Sequence, residues 1–308
     1  MSTRATPPRL RLRPLVAFVS LAAVLAPWGS LRAQTPADVA RELIEADRAF
    51  AAAAAETDLI SGLSAMFAEN VIMPAPGGVF VHGAAEATEL LRTNPANAAS
   101  RATWVPLRAG VSADGLHGFT FGNMTIYRPD STRAQAKYMT YWERQPDGWR
   151  ARAYKRAARD SVDATTSPME PSLPAALVAP QTDPAIIRAH EQSLAETENS
   201  FSRDAQSIGL GPAFARYGSP DAVNMGPPSG TYIVGSEEIS RRLFADQPTG
   251  SSPVTWGADE VIVASSGDLG ITFGLIRSND PAPDSTPFPF FTIWRRASPD
   301  EPWRYVAE

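Results

Sequence analysis

A duplication constrains the fold of this chain more than any other feature. Trp104 and Trp142 recur as Trp256 and Trp294, and each pair is 152 residues apart. The same offset relates four further pairs: Met73 and Met225, Gly83 and Gly235, Gly115 and Gly267, and Gly122 and Gly274. A period of this length predicts two similar domains rather than a short-period solenoid. Residues that both halves share are expected to serve the fold, and residues that differ are expected to serve function.

The length and composition agree with two globular domains. The 308 residues are enough for two domains of ordinary size, each with its own core. The hydrophobic content of 44% and the charged content of 20% are typical of globular proteins. The chain has no cysteine, which excludes disulfides, thiolate metal ligands and cysteine nucleophiles.

Residues 1–33 have the pattern of a secretory signal peptide. Four arginines precede an apolar run over residues 15–26, and Leu31, Arg32 and Ala33 form a cleavage sequence before Gln34. The apolar run is short for a membrane-spanning helix. We therefore expect an exported protein, periplasmic or secreted, with a retained N-terminal anchor as the alternative.

The charge of the mature chain bears on its partners. Cleavage after Ala33 would remove five arginines and no acidic residue, so the formal net charge would change from −5 to −10. An acidic chain with scattered arginines is a poor nucleic-acid binder, and the charge is explained by solubility. We expect no nucleic-acid partner, and no stable membrane insertion once the signal is cleaved.

The remaining chain divides into three segments. The first domain is predicted at residues 34–156, a linker at 157–182 and the second domain at 183–308. The linker contains four prolines among serine, threonine and alanine, a composition that favours an extended, semi-rigid segment.

Each predicted domain begins with helices and ends with strands. Thr35-Pro36 and Asp183-Pro184 place a capping residue before a proline at the start of the first helix. A second short helix is predicted at 59–68 and 211–217, a turn and short strand at 73–82 and 225–234, and a third helix at 84–92 and 237–244. Four long strands follow in each half, predicted at 103–111, 117–128, 137–144 and 149–155, and at 254–264, 269–278, 288–296 and 303–307. Helices followed by hairpin strands indicate an α+β fold.

Short motifs in this order resemble the nuclear transport factor 2-like (NTF2-like) superfamily, and within it SnoaL-like and ketosteroid-isomerase-like proteins. The motifs in the second half are Ala195-Glu196, Phe201, Ala213-Phe214, Tyr217, Asp221-Ala222-Val223 and Phe291-Thr292-Ile293-Trp294. Those in the first half are Ala46-Asp47, Phe50, Met66-Phe67, Asn70-Val71, Met139-Thr140-Tyr141-Trp142 and Asp147-Gly148-Trp149. The resemblance covers nearly the whole mature chain as two tandem copies.

The resemblance implies two cone-shaped domains, each a curved antiparallel sheet wrapped around three N-terminal helices, with an apolar pocket inside. Because family members dimerise through the sheet, we expect the two domains to pack as an intramolecular pseudo-dimer in a chain that can be monomeric. We expect a small, largely apolar molecule to bind in at least one pocket. The alternatives are an isomerase, cyclase or hydrolase with acid–base chemistry in the second domain, and a structural protein with filled pockets.

Strand alternation predicts the pocket-facing residues. Tyr138, Thr140 and Trp142 share one face of their strand, and Thr292 and Trp294 lie on the matching face in the second half. An apolar face with one hydroxyl suits a ligand cavity. It equally suits an ordinary core, since strands favour aromatic and β-branched residues.

Asp221 and Tyr217 are the predicted catalytic pair, because the ketosteroid-isomerase resemblance implies a carboxylate base aided by a tyrosine donor. Asn224 and Tyr232 are predicted to line the same pocket. The alternative is that Asp221 stabilises the turn after Ser219-Pro220 by bonding backbone amides. The nearest counterpart in the first half is Asn70, which is not a base, so this chemistry is predicted for the second domain alone.

Three histidines and one shared acidic position complete the candidates. His82 ends a strand that should border the first pocket, near Asn70 or Tyr138. The spacing of His82, His117 and His190 predicts no metal site, and no motif predicts a cofactor. Asp47 and Glu198 occupy matching helix positions, for which a solvated helix face is expected. Because other polar positions differ between the halves, the duplication argues against two copies of one active site.

Overall fold

The computed structural model describes Met1 and residues 33–159, 167–227 and 230–308. Residues 34–308 form one compact unit. The predicted signal peptide lies outside the described residues, apart from Met1 and Ala33. Within the described part of the chain, no helix has both the length and the apolar character needed to cross a membrane.

The first half, residues 34–159, is called the first lobe. Its helices are α1 (Pro36–Ala55), α2 (Leu59–Ser64), α3 (Ala84–Thr93) and a short 3-10 helix at Pro95–Asn97. Its strands are β1 (Phe67–Ala75), β2 (Val79–His82), β3 (Arg101–Val111), β4 (His117–Tyr127), β5 (Arg133–Gln145) and β6 (Gly148–Arg159). These strands form one sheet in the order β2-β1-β6-β5-β4-β3.

The second half, residues 183–308, is called the second lobe. Its helices are α4 (Pro184–Ile208), α5 (Leu210–Tyr217) and α6 (Ser236–Leu243). Its strands are β7 (Gly218–Asn224), β8 (Ile233–Val234), β9 (Val254–Thr255), β10 (Glu260–Val263), β11 (Leu269–Ser278), β12 (Phe288–Arg295) and β13 (Arg304–Ala307). Their order is β10-β11-β12-β13-β7-β8, and β9 pairs with the far end of β11. The α+β class is confirmed in both lobes.

Local chemistry explains where the long helices begin. Thr35 forms a capping box with Asp38: its hydroxyl accepts from the Asp38 amide at 3.2 Å, and the Asp38 carboxylate accepts from the Thr35 amide at 2.9 Å. Asp183 caps α4 through the Ala185 amide at 2.8 Å. A proline occupies the first position of both helices, where no amide hydrogen is needed. The predicted starts of both helices are confirmed.

Two strands are absent from the sequence-based prediction. β1 is formed by residues for which the sequence predicts the end of a helix and a turn, and the segment around Ser219 and Asp221 forms β7. Each runs parallel to the last strand of its lobe, β6 or β13, so both sheets are mixed rather than antiparallel. The parallel partners of these strands lie far along the chain, which leaves no hairpin signal in the sequence.

The strand predicted at 254–264 is interrupted in the structure. β9 ends at Thr255 and β10 begins at Glu260. Between them, the Asn199 side chain accepts a hydrogen bond from the Ala258 amide at 3.1 Å, so α4 holds the break in place. The matching strand of the first lobe, β3, is continuous over Arg101–Val111. The second lobe is therefore more open along this edge.

The two sheets share one apolar cluster. Phe119, Phe121 and Tyr141 of the first lobe belong to the same cluster as Phe273 and Phe291 of the second lobe. Alternation along β5 explains this arrangement, because Met139 and Tyr141 lie in the shared cluster while Tyr138 and Trp142 lie in the interior of the first lobe. The outward faces of both sheets therefore pack against each other.

The described part of the linker has an extended backbone and pairs with β3 at the edge of the first sheet. The Met169 amide donates to the Leu107 carbonyl at 2.7 Å, and the Ser172 amide donates to the Ala109 carbonyl at 2.9 Å. Gly110 and Ser172 form a parallel bridge. β6 also continues to Arg159, three residues into the predicted linker. Pairing with β3 holds the extended segment on the lobe and covers part of an exposed edge.

Candidate functional site

The duplicated tryptophans surround a buried carboxylate in each lobe. In the first lobe, Trp104 Nε1 donates to Asp47 Oδ1 at 2.7 Å, and the Tyr138 hydroxyl donates to Asp47 Oδ2 at 2.8 Å. Trp142 Nε1 donates to the Thr120 hydroxyl at 2.8 Å. The Asp47 carboxylate is fully buried, with 0% of the residue exposed.

The second lobe repeats the arrangement with glutamate. Trp256 Nε1 donates to Glu198 Oε1 at 2.7 Å, and the Thr272 hydroxyl donates to Glu198 Oε2 at 2.6 Å. Trp294 Nε1 lies 3.1 Å from the same oxygen and 3.0 Å from the Thr272 hydroxyl. Each lobe therefore contains an acid, two tryptophans and a threonine from corresponding positions.

Burial controls the protonation of both acids. Loss of solvation raises the pKa of Asp47, and hydrogen bonds from Trp104, Thr120 and Tyr138 only partly oppose it. Loss of solvation likewise raises the pKa of Glu198, opposed by Thr272 and the two indoles. Both acids are thus held closer to their neutral form than in water.

The expectation that Asp47 and Glu198 lie on a solvated helix face is wrong. The sequence did contain a signal for their burial, because Asp47 follows buried Leu43 by four residues and precedes Phe50 by three. That spacing places all three side chains on one face of α1. A carboxylate among apolar residues on a core-facing stripe needs a hydrogen-bond partner, and the duplicated tryptophans supply it.

One aromatic residue distinguishes the two interiors. Tyr138 packs against Gly122 and donates its hydroxyl to Asp47, whereas its counterpart Phe290 packs against Gly274 and has no hydroxyl to donate. Tyr138 is 1% exposed, while Phe290 is half-buried. Tyr138 therefore closes the first interior at a point where Phe290 leaves space beside Glu198.

The second lobe contains a cavity of about 250 Å³. Its wall is mainly aromatic and aliphatic, and Glu198 contributes the buried carboxyl. The principal apolar residues are Phe201, Leu210, Phe214, Phe244, Ile276 and Phe290. We call this space the second-lobe cavity. It combines an apolar wall with few polar groups, which is the composition of small-molecule sites in proteins.

Three polar residues line another part of the second-lobe cavity. Lys155 comes from β6 of the first lobe, while Asn224 and Glu308 come from the second. Burial lowers the pKa of Lys155 to about 8, and the negative charge of Glu308 opposes that shift. Burial raises the pKa of Glu308 to about 7, opposed first by the hydrogen bond from Asn224.

The predicted pocket residues do not lie together in one site. Thr292 and Asn224 line the second-lobe cavity, and Trp294 reaches it indirectly through its hydrogen bond to Glu198. Tyr138, Thr140 and Trp142 lie in the interior of the first lobe, each at most 1% exposed. These three residues match the core alternative for the first lobe.

The predicted catalytic pair is not brought together. Asp221 forms an ion pair with Arg108 of the first lobe and accepts a hydrogen bond from Ser219. Those contacts lower the pKa of Asp221 despite partial burial, which stabilises the charged form. The Tyr217 hydroxyl instead donates to Asp204 at 3.0 Å. Neither residue lines the second-lobe cavity, and Asp221 connects the two lobes.

The remaining predicted residues also lie away from a pocket interior. His82 is exposed, with Nδ1 3.8 Å from a Glu260 carboxylate oxygen. Asn70 is exposed, and its carbonyl accepts a hydrogen bond from Arg152. The Tyr232 hydroxyl donates its one hydrogen to the Gly122 carbonyl at 2.7 Å, with the Tyr138 carbonyl also within reach at 3.0 Å, so it joins the lobes.

Comparison with protein-family models finds no match, and no curated protein matches the chain. Solved structures do show likeness in fold. An NTF2-like protein with a cystatin-like fold from Novosphingobium aromaticivorans is 20% identical, covering 40% of this chain and 84% of its own, with a TM-score of 0.32. A ketosteroid isomerase-like protein from Erwinia carotovora atroseptica is 15% identical. It covers 37% of this chain and 92% of its own, with a TM-score of 0.31.

A further similar structure is a proposed dehydratase from the NTF2-like family of Streptomyces avermitilis. It is 19% identical, covers 40% of this chain and 98% of its own, and has a TM-score of 0.31. All three structures carry names from the superfamily that the sequence resembles, and each covers about two fifths of this chain. Their likeness concerns the fold alone.

Proposed function

We propose that the second lobe of an exported protein binds a small, largely apolar molecule. The observation that supports this function is the cavity of about 250 Å³ with its aromatic and aliphatic wall. A dry apolar cavity of about 150 Å³ binds benzene, and sites for drug-sized ligands begin at about 300 Å³. The size therefore favours a molecule with one or two rings, or an aliphatic chain of similar volume.

The asymmetry between the lobes supports one binding site rather than two. Asp47 is enclosed by Trp104 and Tyr138, whereas Glu198 faces a space that Phe290 does not fill. Burial of apolar ligand surface contributes about 25 cal/mol per Å², so even a single ring gains useful affinity. Ligand binding is expected in the second lobe alone.

Titration calorimetry with ethylbenzene tests this function. We expect binding with a negative heat-capacity change, the robust sign of apolar burial. Val254→Phe should abolish it by filling the cavity, because Val254 lies on the wall. Val105→Phe is the matched control on exposed β3 surface, since Val105 is 38% exposed, and it should bind normally. Equal binding by both variants would place the ligand elsewhere.

Acid–base catalysis in the same cavity is a second candidate, favoured by Glu198. A carboxyl whose pKa is raised by burial in an apolar site is the kind of group that transfers protons. Three protein donors already engage its oxygens, which favours binding over catalysis. Deuterium exchange at the α-carbon of phenylacetone, lost in Glu198→Gln, would establish catalysis; exchange at the solvent rate would exclude it for this probe.

The proposed export can be tested separately from ligand binding. The basic residues and apolar run within residues 1–33 support cleavage after Ala33. Expression of the full chain in a bacterium, followed by mass measurement of the periplasmic fraction, should give a protein that begins at Gln34. A full-length product that stays in the membrane fraction would favour the retained anchor.

A further inference from the structure

The chain contains only two lysines, and both extend from the first lobe to the second. Lys137 Nζ donates to the carbonyls of Met225, Pro227 at 2.9 Å and Gly230 at 3.0 Å. An ammonium group has three donors, so this contact satisfies the side chain completely. Lys137 is therefore a structural clamp on the loop that follows β7.

Lys155 is bonded differently. Among the described residues, Nζ donates to one acceptor, the Phe291 carbonyl at 3.0 Å, and it lies 4.2 Å from the centre of the Phe291 ring. The side chain lines the second-lobe cavity and also a neighbouring space. Two of its three donors thus remain for another partner, in a place where an unpaired donor is unfavourable.

The neighbouring space is a second cavity of about 490 Å³, here called the interlobe chamber. Its wall includes residues 74–78 of the first lobe, at the end of β1 and in the turn to β2, and residues 286–290 of the second. Lys155, Asn224, Phe290 and Glu308 line both the chamber and the second-lobe cavity. The two spaces therefore adjoin at a boundary with polar groups from both lobes.

Glu308 supplies the opposite charge at this boundary. Its Oε1 accepts from Asn224, and within the described part of the chain Oε2 accepts no hydrogen bond. Lys155 and Glu308 influence each other electrostatically without a direct ion pair. An unused donor and an unused acceptor thus lie at the same boundary.

We propose that this boundary recognises the hydroxyl group of a small amphiphilic alcohol or phenol, whose apolar body occupies the second-lobe cavity. The hydroxyl oxygen accepts from Lys155 Nζ, and its hydrogen is donated to Glu308 Oε2. The inference rests on the proposed binding function and adds the polar end of the ligand. It also assigns a role to the fused architecture, because the donor and the acceptor come from different lobes.

The balance of charge favours a neutral end group. A carboxylate at this position would lie beside Glu308, and an amine would lie beside Lys155, so each would meet a like charge at the boundary. A hydroxyl group donates and accepts at once and leaves the two charges balanced. The carbon skeleton alone should bind more weakly, because it leaves both polar groups unsatisfied.

Calorimetry with four probes on one carbon skeleton tests the inference in the full mature protein. Ethylbenzene, 2-phenylethanol, phenylacetate and phenethylamine share a ring and a two-carbon chain. We expect 2-phenylethanol to bind about tenfold more tightly than ethylbenzene. A hydrogen bond to a charged group contributes more than the roughly 1.4 kcal/mol that corresponds to a tenfold change in affinity. The two charged probes should bind more weakly than the alcohol.

The variant Lys155→Met should reduce the preference for the alcohol to less than threefold while ethylbenzene still binds. Arg188→Met is the matched control, since it removes an exposed cation on α4 and should leave the preference unchanged. Should Lys155→Met fail to fold, acylation in the wild type gives the same information. The alcohol should protect Lys155 from the reagent, as read by peptide mass spectrometry.

The outcomes separate the two proposals. Binding of ethylbenzene with no gain for the alcohol, or with phenylacetate tightest, would overturn the hydroxyl assignment and leave the apolar site intact. Failure of all four probes would overturn both. A preference that persists in Lys155→Met, or acylation of Lys155 that the alcohol does not slow, would show that Lys155 is not the recognition group.

Discussion

The change Asp47→Leu tests whether the buried carboxylates hold the duplicated fold together. Asp47 accepts hydrogen bonds from Trp104 at 2.7 Å and from Tyr138 at 2.8 Å. Leucine has the same branched skeleton as aspartate, so the change removes the acceptors without opening a cavity, although its two methyl groups are larger than the carboxylate oxygens and add some crowding. Both donors would be left buried, because Trp104 is 5% exposed and Tyr138 is 1% exposed.

The magnitude follows from the number of donors that lose their partner. Each unsatisfied buried donor is destabilising by about 1–3 kcal/mol, which gives about 2–6 kcal/mol for two. Removing the buried carboxyl relieves part of its own desolvation, as its raised pKa shows. We expect a net loss of about 2–4 kcal/mol in the free energy of unfolding.

Urea denaturation followed by far-ultraviolet circular dichroism measures this loss. The midpoint should fall while the dependence on urea stays unchanged, since the exposed surface is the same. Asp47→Asn is the matched control. Its amide keeps one oxygen as acceptor and its nitrogen faces the Tyr138 hydroxyl, which can also accept. We expect the asparagine variant to lose about 1 kcal/mol or less.

Two results would refute this reasoning. A leucine variant as stable as the wild type would show that the indole and the phenol find other partners. Equal losses in the leucine and asparagine variants would show that charge, rather than hydrogen bonding, is what the site requires. Either result would remove Asp47 as an anchor of the first lobe.

Three further expectations concern the cavity and the lobe contact. The free energy of unfolding should fall as pH rises from 4.5 through about 7, because burial raises the pKa of Glu308 in the folded state more than Lys155 lowers it. Glu308→Gln should make this fall smaller in urea denaturation, and the remainder comes from Asp47 and Glu198, whose pKa values burial also raises. Acylation of Lys155 should reach half its maximal rate near pH 8 rather than 10.5, read by mass spectrometry. Asp221→Asn should leave 2-phenylethanol affinity unchanged by calorimetry and reduce stability by about 1–2 kcal/mol, because buried Arg108 loses its charged partner.

Much of the secondary structure was predictable from local patterns. The caps at Thr35 and Asp183 depend on neighbouring residues alone, and the long hairpin strands show continuous apolar runs with turns between them. β1 and β7 were not predictable in this way, because each is paired in parallel with a strand about eighty residues later. The break after Thr255 depends on Asn199 of α4, which lies 59 residues before its partner Ala258.

The candidate site was also predictable only where local sequence decides the structure. Asp47 is a position that both halves share, and its spacing from Leu43 and Phe50 is a local signal of burial. Its partners were not predictable, since Trp104 lies 57 residues away and Tyr138 lies 91 residues away. Asp221 shows the converse, because its sequence context resembles a catalytic carboxylate while the fold pairs it with Arg108.

The sequence by itself determined the two-lobe architecture, the α+β class and the residues common to both halves, because an offset of 152 residues and local caps need no knowledge of contacts. Only the tertiary structure decided which lobe is open. Tyr138 fills the space beside Asp47, Phe290 leaves space beside Glu198, and packing of the two sheets brings Lys155 to Glu308. Such contacts join residues that are distant along the chain, so their energy is set by packing rather than by sequence pattern.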